Sequence, residues 1–153
     1  MGVMYVMNRK MKLKEFLTNE EYEGVIQNAI QYSDMSLPVW YLEITNKCLC
    51  ELSNFDLIRC ISQDVFKDLA AFEIIERIDE QNTPFYADID STEMMERLSS
   101  ISPEILSAHK CKLDRMIENV ERNNFIDFAD VCMSDEEKEM YKGYVNIIKN
   151  KIK

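Results

Sequence analysis

The sequence predicts an all-α protein, a single-domain bundle of about five to seven helices. Only three Gly and three Pro occur in 153 residues, whereas small all-β domains need frequent turns built from Gly, Asn, Asp and Pro. Apolar residues also recur at helical spacing, and Ser, Thr or Asp stands ahead of most of these segments, where helices are capped. A composition of 46% hydrophobic and 30% charged residues is typical of a folded globular protein.

Residues 1–17 are predicted to be an N-terminal extension, partly peripheral, and residues 18–153 a single helical domain. The extension is basic, and Met11 is a second candidate start beside Met1. Its first residues lack the basic region and the small-residue cleavage site of a signal peptide. No apolar run approaches the roughly 18 residues that a membrane span requires. We therefore expect a cytoplasmic protein that is not held at a membrane.

The first predicted helix covers residues 19–33, and its start is marked by a capping box that pairs Thr18 with Glu21. The next segment begins with a possible cap at Ser36, just ahead of Pro38. The apolar residues that follow Pro38 fit either a short helix or an extended segment, and the sequence leaves both open.

The strongest helical pattern starts at Ser53 and places apolar residues on one stripe as far as Leu69. A bend is expected near residues 70–71, followed by a second apolar stripe. Pro84 ends the helical pattern, because the residue before a proline is pushed toward extended geometry. A loop is therefore predicted over residues 79–86.

Three helix starts are predicted in the C-terminal half of the chain, at Asp90, Ser102 and Ser134. The helix after Ser102 is predicted to run unbroken to Val120. A second capping box, Ser134 with Glu137, opens the last helix. The residues expected in the core are apolar or aromatic and lie on the helical stripes: Phe55, Ile58, Ile61, Phe66, Leu69, Ile75, Leu113, Ile117, Tyr144 and Ile148.

The formal net charge of −10 at pH 7 argues against nucleic acid as a ligand, because binding it depends on Lys and Arg displacing counterions from phosphates. A basic protein partner would complement this charge. The alternative is that the negative charge only keeps the protein soluble and monomeric.

The sequence offers no usual catalytic or nucleotide-binding motif. Gly occurs only at positions 2, 24 and 143, which excludes a glycine-rich phosphate loop. The single histidine, His109, lies in a predicted helix without a nucleophile motif around it, so a surface or half-buried position is expected. We predict that the protein is not an enzyme, has no cofactor and takes no small-molecule substrate. A metal-dependent hydrolase built on acidic residues is the open alternative.

Five cysteines at irregular spacing indicate reduced thiols and not a disulfide framework. Cys48 and Cys50 with His109 and Cys111 could together supply four soft ligands, the number that tetrahedral zinc needs. One residue between two ligands is not the spacing of a zinc knuckle, however. No metal site is therefore predicted.

Two acidic clusters with aromatic residues in or beside them are candidate partner-binding surfaces. The first is the predicted site, where carboxylates surround two loop aromatics: Asp79, Glu80, Phe85, Tyr86, Asp88, Asp90, Glu93 and Glu96. The rival cluster runs from residue 118 to 139 and contains Phe125 and Phe128. Aromatic anchors ringed by charge are typical of protein-binding patches. The alternative is that both clusters are solvated faces whose loop aromatics pack into the core.

Residues 37–98 carry a pattern of motifs. Pro38 lies in an apolar segment, and Leu-Ser-Asn-Phe-Asp-Leu-Ile-Arg follows at residues 52–59, with Gln63 four residues beyond. An apolar helix comes next, and then the aromatic and acidic loop. In these features the chain resembles the immunity proteins of bacterial contact-dependent growth inhibition (CDI) systems, in which a Leu-Ser-x-x-Asp-x-x-Arg run with a following Gln is recurrent.

The resemblance implies a definite function. Such a protein binds the C-terminal toxin domain of a large delivered effector from its own locus, often a nuclease, and blocks the active site or another required surface. The residues Asp56 and Arg59 would then organise the fold and not contact the toxin. The alternative is an acidic helical adaptor or regulator with an unrelated protein partner, and genomic context would separate the two.

Overall fold

The computed structural model describes residues 9–81 and 89–153, and there all regular structure is helical apart from one isolated bridge between Lys12 and Cys48. Two short 3-10 turns lie at Leu13–Phe16 and Leu49–Glu51. The α-helices of the described residues are α1 (Asn19–Gln31), α2 (Ser36–Thr45), α3 (Asn54–Ser62), α4 (Lys67–Gln81), α5 (Ser91–Ser99), α6 (Pro103–Ala108), α7 (Lys110–Arg122) and α8 (Asp135–Lys151). The all-α prediction is confirmed, whereas the predicted count of five to seven helices is too low.

The chain divides into two compact units, Met1–Asp56 and Leu57–Lys153, and the division falls within α3. Leu13, in the predicted N-terminal extension, is fully buried. The single domain over residues 18–153 stays a prediction. None of the helices in residues 9–81 and 89–153 combines the length and the apolar character that crossing a membrane requires.

In the first unit, α1 packs against α2. The predicted capping box at α1 is present, because Thr18 Oγ1 accepts from the Glu21 N–H at 3.1 Å and Glu21 accepts from the Thr18 N–H at 2.9 Å. The segment after Ser36 is helical, which settles the choice that the sequence left open. The Trp40 and Ile44 side chains of α2 are buried.

Asp56 joins the start of α3 to α2. Its carboxylate accepts from the Trp40 indole N–H at 3.0 Å and from the Ser53 N–H at 3.1 Å, while Ser53 Oγ accepts from the Asp56 N–H at 3.0 Å. Partial burial alone would raise the pKa of the Asp56 carboxyl, but the hydrogen bonds from Trp40 and Ser53 and the charge of Lys47 hold it below its usual value. The aspartate of the motif therefore caps a helix and fixes a tryptophan.

The break between α3 and α4 lies earlier than predicted. The backbone turns at residues 63–66, where Asp64 and Phe66 have positive φ values of 56° and 49°, and the expected bend at Ala70 and Ala71 is wrong. Both alanines are fully buried inside α4, where small side chains allow close helix packing. A left-handed backbone costs a non-glycine residue about 1–2 kcal/mol, which the surrounding packing must offset.

The helix predicted from Ser102 to Val120 is also broken, at His109. The backbone there leaves helical geometry (φ −111°, ψ 21°), so that α6 and α7 are separate helices. The His109 side chain is only 3% exposed, and its Nε2 lies 2.8 Å from Asp68 Oδ1 on α4. The predicted surface or half-buried position is therefore wrong, because the side chain is buried in contact with Asp68 of α4.

In the second unit, α7 packs against α4 and α8 packs against α5. Three polar pairs join α4 to the start and first turns of α7, and the residue numbers increase along both helices from one pair to the next. Asp68 lies near His109, Glu76 lies 2.5 Å from Lys112, and Asp79 lies 2.6 Å from Arg115. Because the partners ascend together, the two helices run in the same direction. Tyr141, Val145 and Ile148 form the buried stripe of α8, and Met94, Met95 and Leu98 that of α5.

The core prediction is correct for Ile58, Ile61, Ile75, Leu113, Ile117 and Ile148, which are all buried. Phe66, Leu69 and Tyr144 are half-buried. Phe55 is wrong, because its side chain is 68% exposed. The buried face of α3 is set by Leu57, Ile58, Cys60 and Ile61, which leaves Phe55 in the first turn on the outer side.

Truncation to alanine should destabilise the protein much more at Ile117 than at Phe55. Ile117→Ala removes buried atoms from the core and should lower the free energy of unfolding by roughly 2–5 kcal/mol. Phe55→Ala should change it by less than about 0.5 kcal/mol, since exposed side chains contribute little. Urea unfolding of the two variants measures this, and equal losses would contradict the burial of the two side chains.

Asp56→Ala and Arg59→Ala should lower folding stability without specifically weakening partner binding. Loss of the cap and of the Trp40 contact should cost about 1–2 kcal/mol for Asp56→Ala. Because the folded-state pKa of Asp56 is lowered, its contribution is present above the ordinary carboxyl pKa of about 4 and is lost as the pH falls further. Thermal melts at several pH values, alongside binding measurements, check this. A variant that melts like the parent but binds tenfold more weakly would place the motif in the interface.

Candidate partner-binding site

An open acidic groove lies in the second unit, between α5, the loop of residues 123–134 and the first turns of α8. Its volume is about 240 Å³, and its lining residues are Asp90, Thr92, Glu93, Glu96, Asp127, Asp130, Glu137, Met140 and Tyr144. Among these described lining residues, six are carboxylates and none is Lys or Arg. The groove therefore concentrates negative charge on one surface.

The α5 wall of the groove begins at the helix start. The Asp90 carboxylate caps α5, as predicted, by accepting from the Glu93 N–H at 3.3 Å. Glu93 and Glu96 follow one turn apart on the exposed side of α5, because the opposite side buries Met94, Met95 and Leu98. The wall presents its carboxylates to solvent and to any partner.

Asp127 forms the floor of the groove and is only 1% exposed. One oxygen of its carboxylate accepts from the Thr92 N–H at 2.9 Å and from the Thr92 hydroxyl at 2.7 Å. The other oxygen accepts from the Ala129 N–H at 3.0 Å. A carboxylate at the N-terminus of a helix also interacts favourably with the helix dipole. Asp127 thus binds the loop to the first turn of α5.

A second contact holds the same loop against α8. Asn124 and Phe125 have positive φ values of 58° and 56°, and the Phe125 ring meets the Tyr141 ring edge-on, with centroids 6.4 Å apart. The buried Tyr141 hydroxyl donates to Ser91 Oγ at 2.9 Å, and its burial raises the pKa of the phenol. Phe125 is therefore a packing residue, as the alternative interpretation of the rival cluster predicted.

The α8 wall starts from a cap that the sequence predicted, in which Ser134 Oγ accepts from the Glu137 N–H at 3.1 Å. Glu137 faces Asp130 across the loop. The pKa of Asp130 is raised by reduced hydration, by a hydrogen bond shared with Glu137 and by the negative charges of Glu137 and Asp127. The carboxylates of this wall therefore repel one another.

The structure brings together part of the predicted site and part of its rival. Asp90, Glu93 and Glu96 line the groove, opposite Asp130 and Glu137 from the rival cluster. Two clusters that the sequence treats as alternatives are therefore opposite walls of one surface.

Among the described residues of the predicted site, Asp79 and Glu80 do not line the groove. Asp79 is not among its lining residues, because its carboxylate accepts from Arg115 and Asn119 of α7, each at 2.6 Å. Glu80 is half-buried within α4. Phe85, Tyr86 and Asp88 lie outside the described residues. The predicted site is thus divided between groove residues and residues that support the α4–α7 contact.

Sequence reasoning missed the structural role of Asp127 and the place of Met140 and Tyr144 in the groove. Tyr144 was expected in the core and Asp127 in the rival patch. The only local signal was the position of Met140 three residues after Glu137, on one face of a helix.

No metal centre is formed within the described ranges 9–81 and 89–153, where no group of three or more His, Cys, Asp or Glu side chains is placed to hold a metal ion. Cys48, Cys50, Cys60, Cys111 and Cys132 are free cysteines.

Comparison with known proteins gives one match. The family of CDI immunity proteins matches residues 21–116, which is more than half of the chain. No curated protein and no solved structure matches the chain significantly. The matched residues include α5, whereas the whole loop of residues 123–134 and all of α8 follow the end of the match.

Mutation of two neighbouring acidic residues of the groove should change the stability of the protein in opposite directions. Asp127→Ala leaves buried N–H and hydroxyl donors without an acceptor and should destabilise the protein by about 1–3 kcal/mol. Asp130→Asn should raise the melting temperature at neutral pH. The folded state disfavours ionisation of Asp130, so its charge costs stability as the pH rises through its raised pKa, and the amide removes that cost. Thermal melts at pH 7 and near pH 4 check both, with the Asp130→Asn gain fading at the lower pH. A loss of stability in both variants at pH 7 would contradict the repulsion.

Proposed function

Because the chain belongs to the CDI immunity proteins, we propose that it binds and neutralises the cognate C-terminal toxin domain of a contact-dependent growth inhibition effector. The groove with its six carboxylates is the observation that supports a particular surface for toxin binding. The protein acts by binding, without catalysis or a cofactor, in the cytoplasm of the cell that it protects.

The chemistry of the groove favours a nuclease as the toxin. A nuclease binds phosphates through Lys and Arg, so its working surface is basic. An acidic groove complements such a surface and also speeds the encounter, since opposite charges steer association. The net charge of −10 acts in the same direction over longer range.

The negative charges of the groove also support a basic partner. The pKa of Asp130 is raised by reduced hydration, by a hydrogen bond with Glu137 and by the repulsion of Glu137 and Asp127. Cationic groups from a toxin would relieve that repulsion, so part of the binding energy comes from the removal of an unfavourable interaction. Residues that cost stability in the free protein are expected at functional surfaces.

The proposed interface centres on Glu93 and Glu96 and extends to Phe85, Tyr86 and Asp88, which follow α4 in the sequence. Asp90 contributes charge while it caps α5. Asp79 and Glu80, included in the sequence-based prediction, have a smaller role here, since Asp79 pairs with Arg115.

Reversing the exposed charges of α5 should slow toxin binding. We predict that Glu93→Lys with Glu96→Lys lowers the association rate constant by about tenfold at low salt and flattens its salt dependence, with a smaller effect on dissociation. The matched control is Glu20→Lys with Glu23→Lys, which reverses two exposed acids of α1 at the same spacing and also changes one residue in a first helical turn. Surface plasmon resonance against the inactivated toxin domain of the neighbouring effector gene measures both rates.

The control makes the outcome decisive. The control pair changes the net charge by the same amount, so a general field effect would slow both double variants equally. Equal slowing of association in both double variants would contradict the assignment of the groove as the toxin-binding surface. Absence of any binding between the parent protein and that toxin domain would remove the proposed function itself.

A further inference from the structure

Two large apolar side chains are exposed in or near the acidic groove. Met140 lines the α8 wall and is 50% exposed, whereas Val131 is 73% exposed and does not line the groove but directly follows the groove residue Asp130 in the sequence. An exposed apolar side chain on its own needs no explanation. Here, however, Met140 lines an open groove together with six carboxylates.

The geometry of α8 explains why Met140 stays in solvent. The buried stripe of this helix is Tyr141, Val145 and Ile148, whereas Glu137, Met140 and Tyr144 follow at i, i+3 and i+7 along the adjacent face and line the groove. The face therefore carries a charge, an apolar side chain and a half-buried aromatic in succession. Apolar and charged side chains are arranged here as in many protein interfaces, which have an apolar centre and a charged rim.

The position of the α8 wall in the sequence also supports a role in partner binding. The family match ends at residue 116, so the α8 wall lies outside the matched residues and the α5 wall lies inside them. An immunity protein must discriminate its own toxin from others, and discrimination depends on contacts particular to one pair. The α8 wall can supply such contacts without altering the matched part of the chain.

We propose that Met140 and Val131 form the apolar anchor of the toxin-binding surface, and that the partner presents an apolar side chain surrounded by Lys and Arg. This inference rests on the proposed function and adds the residues that hold the complex together. The carboxylates Asp130 and Glu137 form the rim on this side and set the rate of encounter, while the apolar contact sets the lifetime of the complex.

Charge decides between a basic toxin and a second copy of this chain as the occupant. Two copies meeting through this face would bring twelve groove carboxylates together, twice the six of one chain, and like charges in contact oppose association. A basic surface meets no such penalty. The groove is therefore assigned to the toxin.

The test compares three alanine variants against the inactivated C-terminal domain of the effector encoded beside this gene. Met140→Ala and Val131→Ala should each raise the dissociation rate constant by about tenfold, with association within about twofold of the parent. The matched control is Ile147→Ala, which truncates a side chain that is 44% exposed on the same helix. Ile147 does not line the groove and, unlike Val131, has no groove residue next to it in the sequence. Its rate constants should stay within about twofold of the parent.

Two further substitutions keep the result interpretable. Met140→Leu preserves an apolar side chain of similar volume and should retain the parental dissociation rate, whereas Met140→Gln should behave like the alanine variant. Thermal melts establish that each variant is folded, which the exposed positions favour.

Each outcome bears on one claim. If Met140→Ala and Val131→Ala dissociate like the parent while the Glu93 and Glu96 reversal still slows association, the anchor is wrong and the proposed function stands. If Ile147→Ala dissociates as fast as Met140→Ala, the apolar contact is not confined to the groove and the anchor is again wrong. If the parent protein does not bind the domain at all, the proposed function fails.

Discussion

The carboxylate of Asp127 is the contact on which the candidate site depends. It is buried at the N-terminus of α5, accepts two hydrogen bonds from Thr92 and one from Ala129, and so fixes the loop of residues 123–134 in place. Burying a carboxylate is costly unless its oxygens receive hydrogen bonds, and here each of them does. Without this contact, α8 would still pack against α5, but the loop that carries Asp130 would not be held beside the first turn of α5.

Once the loop is fixed, the repulsion in the groove follows. Asp90 and Asp127 both serve the first turn of α5, where negative charge is favourable. The Glu137 carboxylate accepts from the Ser134 hydroxyl at 3.2 Å at the start of α8, whereas Glu93 and Glu96 are exposed on α5. Reduced hydration and the neighbouring Glu137 and Asp127 carboxylates raise the pKa of Asp130. This repulsion is tolerated because other contacts hold the surrounding helices together. These contacts are the α4–α7 pairs and the buried stripes of α5 and α8. A basic partner that enters the groove would recover the cost on binding.

Local chemistry in the sequence predicted the helices well. The caps at Thr18, Asp90 and Ser134 use side chains within three residues, so a single stretch of sequence is enough to find them. The missed break at His109 coincides with a tertiary contact. His109 leaves helical geometry where it meets Asp68, 41 residues earlier, and no local pattern announces that contact. The same limit applies to the site, because Asp127 reaches Thr92 across 35 residues. The sequence could therefore name both acidic clusters but not join them.

Hydrogen exchange of the protein with and without the inactivated toxin domain tests the central claim most directly, since it reports on the surface without altering it. We expect the complex to protect peptides from residues 90–96 and 126–144, the two walls of the groove, while α1, α2 and α6 exchange as in the free protein. Protection confined to α1 and α2, or to α6 and α7, with both walls of the groove unchanged, would contradict the assignment of this surface.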